Sequence, residues 1–182
     1  MVLKTADQVR LSLVMDHPVK SEAAFDNTER KSVYLHPGKI FASSEPCNVK
    51  TILGSCVAVC LCDLVQRVGG VAHFLLPYWA GNGQSASGGS AKFGNIAIRF
   101  LIERVLALGS TRHNLQAKLF GGACVLEAMR ISVNHLGAKN VELARKLLEE
   151  EKIPIISENV EGQRGRKLIF QVDSGNAWVK LL

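Results

Sequence analysis

The chain has 182 residues, of which 47% are apolar and 21% are charged, close to the average for globular proteins. This composition excludes a wholly disordered chain, and the length predicts one domain. No apolar run reaches the 18 or so residues that a membrane-spanning helix needs. The first 20 residues also lack the apolar segment and cleavage site of a signal peptide, so we expect a cytoplasmic protein.

The chain is basic, with a formal net charge of +6. Residues 51–140 contain eight basic and three acidic residues and therefore carry most of the excess. Proteins that bind nucleic acids concentrate their basic residues along one element and often add aromatic side chains for stacking. Here the basic residues form no cluster longer than a pair, and only 6% of the residues are aromatic. We therefore expect no nucleic-acid partner.

The first half of the chain predicts mainly strands. Residues 1–32 are polar and without a clear period, which predicts a weakly structured N-terminal extension before a domain over 33–182. Two strands are then expected around a turn at Pro37-Gly38. Further strands are predicted over 48–53, 57–63 and 68–77, the last two as a pair.

The second half predicts two helices and a closing hairpin. The Gly- and Ser-rich residues 78–92 indicate either a mobile flap or a plain linker. The remaining predictions are a helix over 93–108 that stops at Gly109, a strand over 115–120, an irregular segment or short helix over 122–129, a helix over 140–152 with Asn140 as its N-cap, a strand over 153–157, and a hairpin around residues 173–175. Strands outnumber helices and alternate little with them. This pattern predicts an α+β fold, a single-domain α/β sandwich with mixed β-sheets in its core flanked by helices.

The most informative local feature is Leu53-Gly54-Ser55-Cys56. Gly54 allows a tight bend after a strand, and the backbone N–H groups around Cys56 are placed to stabilise an oxyanion. His73, on the returning strand, is a candidate base that would activate the Cys56 thiol. The alternative is that Cys56 packs as a small apolar residue and that His73 is a hydrogen-bonded core residue.

The other four cysteines point to no separate chemistry. An odd number of cysteines without a secretion signal disfavours a disulfide framework. Cys60 and Cys62 share a strand face with Cys56 and, together with His73, offer possible zinc donors. No Cys-x-x-Cys or His-x-x-x-His pattern supports such a site, so we favour packing for Cys60 and Cys62 and expect no metal. No phosphate-binding glycine motif is present either.

These segments together resemble the chemoreceptor glutamine deamidases of the CheD family. The resemblance lies in residues 51–57 (TILGSCV), 69–73 (GGVAH), 76–77 (LP), 118–123 (KLFGGA), Gly137, 140–142 (NVE), 165–167 (GRK) and Phe170. These matches run in the family's order over about the last four-fifths of the chain. The resemblance implies a hydrolase that converts glutamine side chains of chemoreceptor cytoplasmic helices to glutamate.

The resemblance also implies roles for individual residues. Cys56 would be the nucleophile, His73 its base and later acid, and Gly54 and Ser55 would form the oxyanion turn. Thr51 would orient His73; some members place this threonine one position earlier, where this chain has Lys50. If strand alternation turned Thr51 away, a backbone carbonyl or another side chain would take that role. No metal or organic cofactor is implied.

The implied partners are the cytoplasmic domains of chemoreceptors and, in some bacteria, a CheC-type phosphatase. The alternative function is therefore a non-catalytic chemotaxis regulator that binds receptors or such a phosphatase.

The position of the basic excess leads to a first prediction. The charge of residues 51–140 should attract the acidic helices of a receptor, so the deamidation rate should fall as added salt screens that attraction. Initial rates measured between about 0.01 and 1 M salt, over which the Debye length shrinks from about 30 to 3 Å, would test this. A rate that does not change over that range would contradict it.

Overall fold

The computed structural model describes residues 20–21, 30–79, 90–125 and 135–182. Its strands are β1 (Lys20–Ser21), β2 (Lys31–Tyr34), β3 (Lys39–Ser43), β4 (Cys47–Leu53), β5 (Val57–Asp63), β6 (Val68–Phe74), β7 (Gln116–Gly121), β8 (Ile155–Val160), β9 (Arg166–Gln171) and β10 (Ala177–Leu181). Its helices are α1 (Gly94–Ala107) and α2 (Leu136–Glu150), with a short 3₁₀ turn at Arg112–Asn114.

The strands form two five-stranded sheets, both mixed. The first sheet has the order β1-β10-β9-β4-β2, and the second has the order β3-β6-β5-β7-β8. In the first sheet β1 and β2 run parallel to their neighbours β10 and β4. In the second sheet only β8 runs parallel to its neighbour, β7. The predicted single-domain α/β sandwich with mixed sheets is therefore confirmed.

The second sheet lies between two apolar layers. One face of β5 and β6 packs with α1 and α2 in a core that includes Val59, Phe74 and Leu101. The opposite face packs against the first sheet in a core that includes Cys60 and Phe170. All seven residues of β5 and all seven of β6 are buried. Burial on both faces explains why β5 is almost continuously apolar instead of alternating.

Most predicted elements are confirmed, with shifted ends. The strands around the Pro37-Gly38 turn are present, and Gly38 has the positive φ of +75° that this turn requires. The two strands belong to different sheets, β2 to the first and β3 to the second. The helix α1 ends before Gly109, whose φ is +100°. The pair β5–β6 and the final hairpin β9–β10 are both antiparallel.

Several predictions concern residues that the structure describes only in part. Within the expected N-terminal extension, Lys20–Ser21 pairs with Trp178 and Val179, and Lys31 and Ser32 belong to β2. Ten residues of the predicted flap or linker, 80–89, lie outside the described residues, as do residues 126–129, half of the segment expected to be irregular or a short helix. Within the described ranges, no helix is long and apolar enough to cross a membrane.

Gly121, the last residue of β7, is required where two strands approach closely. Its φ is +106°, and a Cβ atom at this position would lie 2.2 Å from the carbonyl oxygen of Cys56. Gly109 has nearly the same φ, yet a Cβ atom there would meet nothing within 4 Å. The two glycines therefore share the backbone constraint and differ only in the space around them.

This difference gives a paired prediction for alanine substitutions. Gly109→Ala should lower the free energy of unfolding by about 1 kcal/mol through backbone strain alone. Gly121→Ala should lower it by roughly 1–3 kcal/mol more, because the new methyl group displaces the Cys56 carbonyl. Urea unfolding of both variants measures the difference. Equal losses in the two variants would show that the Cys56 turn does not need this close approach.

Candidate active site

Cys56 lies in the connection between the two sheets. Residues 54–56 link β4 of the first sheet to β5 of the second. The carbonyl oxygen of Gly54 accepts a hydrogen bond from the N–H of Ala123 at 2.8 Å, and that of Cys56 accepts one from the N–H of Gly122, also at 2.8 Å. The end of β7 and the residues after it therefore hold this turn from one side. Cys56 itself is partly exposed.

The same hydrogen bonds determine where the N–H groups of the turn point. The carbonyls of Gly54 and Ser55 both bond to protein groups, since Ser55 accepts a hydrogen bond from the Asn140 side chain at 3.0 Å. In a planar trans peptide the C=O and the following N–H point in opposite directions. The N–H groups of Ser55 and Cys56 therefore point away from the groups that hold the carbonyls. This arrangement suits an oxyanion-binding turn.

His73 lies on β6 and faces the first sheet. Its neighbours Ala72 and Phe74 belong to the core beneath the helices, so the His73 side chain points to the opposite face. Ala58 is the residue paired with His73 across β5–β6, and Cys56 precedes Ala58 by two residues. Cys56 lies just beyond Val57, the last residue of β5 that pairs with β6, and so at the end of the strand next to the one that carries His73.

Thr51 is the residue that contacts the His73 ring. Its Oγ1 lies 2.8 Å from His73 Nδ1, and both side chains are buried. Thr51 belongs to β4, so this hydrogen bond joins the first sheet to the second. Strand alternation therefore points Thr51 towards His73.

The hydrogen bonds of Thr51 determine the tautomer of His73. Thr51 Oγ1 donates its single proton to the carbonyl oxygen of Leu35 at 2.7 Å, because a carbonyl can only accept. Thr51 Oγ1 must therefore accept a hydrogen bond from Nδ1–H of His73. In the neutral ring this leaves the lone pair on Nε2, which is buried and has no hydrogen-bond partner among the described residues, the Cys56 sulfur included. Nε2 therefore has a free lone pair that can accept a proton.

Burial shifts the pKa values of both Cys56 and His73 so that the neutral form of each is favoured. Burial lowers the pKa of His73 from 6.5 to about 4, against the opposing effect of the Leu35 carbonyl. Burial also raises the pKa of the Cys56 thiol, while its own backbone N–H acts in the opposite direction. The resting pair is therefore a thiol and a neutral imidazole rather than a thiolate–imidazolium ion pair.

The two buried thiols of β5, Cys60 and Cys62, are less suited to nucleophilic chemistry. Cys60 is fully buried, and burial raises its pKa well above the usual value. Burial raises the pKa of Cys62 to about 11. Both side chains pack between the two sheets. In the ranges 30–79, 90–125 and 135–182, no three His, Cys, Asp or Glu side chains are grouped to hold a metal ion.

Asn140 lies beside the Cys56 turn and does not cap the second helix. The predicted N-cap of the second helix is wrong, because α2 begins at Leu136 and His135 caps it by accepting a hydrogen bond from the N–H of Ala138. Asn140 is fully buried inside α2. Its Nδ2 donates to the carbonyl oxygens of Ser55 and Leu75 at 3.0 and 2.9 Å. An amide within a helix gave no sequence signal for this contact except its place in the 140–142 motif.

A small cavity of about 130 Å³ lies beside the turn. The described residues that line it are Ser55, Ala123, Cys124, Val125, His135, Leu136 and Gly137. Most of its lining is apolar, and neither Cys56 nor His73 is among the described residues that line it.

The lowered pKa of His73 predicts how stability depends on pH. Above pH 6.5 His73 is neutral in both the folded and the unfolded chain and adds no pH dependence. As the pH falls from about 6.5 to about 4, His73 binds a proton in the unfolded chain but stays neutral in the folded protein. The free energy of unfolding should therefore fall across this window by up to about 3 kcal/mol more in the wild type than in His73→Gln.

Urea unfolding at intervals between pH 7 and 4 measures this difference. The exposed His113 provides the control, since His113→Gln makes the same substitution at a side chain that is not buried. Wild type and His113→Gln should lose stability in parallel on acidification. Parallel curves for wild type and His73→Gln would contradict the burial of a neutral His73.

Comparisons with known proteins identify the family of the chain. The family described as "CheD chemotactic sensory transduction" matches residues 75–181, a range that does not include Thr51, Cys56 or His73. A solved structure titled as that of Bacillus licheniformis hypothetical protein YfiH covers 86% of this chain and 67% of its own, with 16% identity and a TM-score of 0.42, which is too distant a likeness to inform on function.

Three curated relatives are similar over most of the chain. A protein of Anaeromyxobacter dehalogenans strain 2CP-C named "Probable chemoreceptor glutamine deamidase CheD 1" is 51% identical over 153 residues, which cover 84% of this chain and 86% of the relative. Proteins named "Probable chemoreceptor glutamine deamidase CheD" from Sulfurimonas denitrificans and Trichlorobacter lovleyi are each 39% identical, over 84% and 82% of this chain and 95% and 90% of their own lengths. The chain therefore belongs to the CheD family.

Proposed function

We propose that this protein is a protein-glutamine glutaminase that hydrolyses glutamine side chains of chemoreceptors to glutamate, with Cys56 as its nucleophile. The observation that carries this proposal is the Thr51–His73 hydrogen bond, which leaves His73 Nε2 as an unpartnered base on the face where Cys56 enters β5. The names of the relatives supply the substrate class. The buried thiols Cys60 and Cys62 lack such a base and such access.

In the first half of the reaction, Cys56 attacks the glutamine carboxamide. His73 Nε2 takes the thiol proton while the Cys56 sulfur bonds to the amide carbon, and the negative charge moves to the carbonyl oxygen. The N–H groups of Ser55 and Cys56 stabilise that oxyanion. His73 then donates its proton to the amide nitrogen, the C–N bond breaks, and ammonia leaves behind a thioester.

In the second half, water hydrolyses the thioester. His73 Nε2 takes a proton from the water as its oxygen bonds to the thioester carbon. The C–S bond then breaks, and the proton held by His73 returns to the Cys56 sulfur. The products are a glutamate side chain and the free thiol, so no electrons are exchanged and no cofactor is consumed.

Thr51 keeps His73 in the correct state during both halves. Its oxygen accepts the Nδ1–H bond in the neutral ring and also in the protonated ring, because Nδ1 carries a proton in both. The ring can therefore gain and lose its Nε2 proton without turning. Thr51 is thus a positioning residue, with the role of the third member of a catalytic triad.

The proposed setting of this activity is the cytoplasm. We assign the activity to residues 33–182, which contain Cys56, His73 and Thr51. We propose that its substrates are the cytoplasmic helices of receptors. The family resemblance further suggests a CheC-type phosphatase as a regulator. Mixing this protein with such a phosphatase and testing whether the two co-elute tests that pairing.

Substitutions of Cys56, of His73 and of Cys60, a thiol on the same strand face as Cys56, test the proposed chemistry. Incubated with a receptor cytoplasmic fragment, the wild type should convert specific glutamines to glutamates, as followed by peptide mass spectrometry. Cys56→Ala should lower the rate by at least about 10³-fold because it removes the nucleophile, and His73→Ala by about 10²–10⁴-fold because it removes the base. Cys60→Ala, the matched control, should retain the wild-type rate per folded molecule.

Two results would contradict the proposal. Deamidation that survives in both Cys56→Ala and His73→Ala would exclude this mechanism. Undiminished receptor signalling in a strain that carries only Cys56→Ala would instead favour the non-catalytic regulator.

A further inference from the structure

Asn140 occupies the point where the two strands that carry the proposed catalytic pair separate. The last paired residues of β5 and β6 are Val57 and Phe74. Beyond them the chain turns away at Ser55 and Cys56 on one side and continues through Leu75 on the other. At this point the strands no longer satisfy each other's carbonyl groups, and buried carbonyls without partners are costly.

The Asn140 amide fills this gap with its two protons. Nδ2 lies 3.0 Å from the carbonyl oxygen of Ser55 and 2.9 Å from that of Leu75. An amide NH₂ group has two donors, so one side chain satisfies both carbonyls. Ser55 directly precedes Cys56, and Leu75 follows His73 by two residues. One buried side chain therefore links the backbone beside the nucleophile to the backbone beside the base.

The bond to Ser55 has a direct consequence for the Cys56 N–H. The Ser55 carbonyl and the Cys56 N–H belong to the same planar peptide and point in opposite directions. Holding the carbonyl towards α2 therefore holds the N–H away from α2, on the open side of the turn. Without Asn140 this peptide could rotate, and the N–H would lose its fixed direction.

We propose that Asn140 is a positioning residue that aims the Cys56 N–H at the oxyanion formed during deamidation. It also holds this N–H in a fixed position relative to β6, the strand that carries His73. The proposal rests on the glutaminase function proposed above. It assigns to Asn140 no contact with substrate and no part in proton transfer.

Two reactions of the same thiol separate this role from a general structural one. Alkylation of Cys56 by iodoacetamide needs the sulfur and its base but forms no oxyanion at an amide carbon. Deamidation of a receptor glutamine needs the sulfur, its base and the N–H group of Cys56 that binds the oxyanion. A variant that loses only the aim of the N–H should therefore be alkylated normally and should deamidate poorly.

The experiment uses the full chain with Asn140→Leu, a variant of similar shape without donors. We expect kcat for deamidation to fall by about 10²–10³-fold, the usual loss when one oxyanion donor is removed, with little change in KM. Site-resolved alkylation of Cys56 should stay within about threefold of the wild type across the pH profile. His73→Ala should instead slow both reactions.

Asn48→Leu is the matched control. Asn48 is also fully buried, but among the residues that the structure describes neither of its side-chain polar atoms has a hydrogen-bond partner, so the same substitution removes no hydrogen bond seen there. This variant should keep the wild-type kcat. If Asn140→Leu fails to fold, Asn140→Ser, which retains one donor, should show a smaller loss of kcat with the same unchanged alkylation.

The possible results distinguish this proposal from the function on which it rests. A folded Asn140 variant that deamidates within threefold of the wild type would overturn the proposal, and so would a parallel loss of alkylation and deamidation. A wild-type protein without deamidase activity would overturn the proposed function instead.

Discussion

The candidate site depends on the burial of β5 and β6 on both faces. The helices cover one face and the first sheet covers the other, so every side chain on these strands is shielded from water. A polar group in such a place must have a hydrogen-bond partner or stay neutral. For His73, Thr51 holds Nδ1 and burial lowers the pKa to about 4, so the ring stays neutral, while Nε2 has no partner among the described residues. The core that stabilises the fold therefore also sets the protonation state of the proposed base.

This environment explains which cysteine is suited to catalysis. Cys56, Cys60 and Cys62 follow one another along the same face, and burial raises the pKa of all three thiols. Only Cys56 of these three is partly exposed, because it lies in the turn before β5 and not within the strand. Cys56, the proposed nucleophile, thus differs from the other two by its access and not by a lowered thiol pKa. A neutral pair also avoids the cost of placing two charges between packed sheets.

The turn itself is held by groups that are distant in sequence. Gly122 and Ala123 bond to it from the end of β7, Gly121 lets the Cys56 carbonyl approach, and Asn140 reaches it from α2. Each of these contacts satisfies a carbonyl and so leaves the N–H groups of the turn facing the other way. The rigidity of the turn is consistent with oxyanion stabilisation, which needs donors that are already in position before the reaction begins.

The sequence by itself determined the strands, the antiparallel β5–β6 pair, the helix that stops at Gly109, and Cys56 and His73 as candidate site residues. These features depend on local patterns, namely apolar periodicity, turn glycines and a family motif. Only the tertiary structure decided that Thr51 faces His73, because that contact joins two sheets and depends on how they pack. It also decided the role of Asn140: a helix-capping pattern is local, whereas the carbonyls of Ser55 and Leu75 are 85 and 65 residues away along the chain. Contacts of that range follow from the packing of whole elements, and no local pattern encodes them.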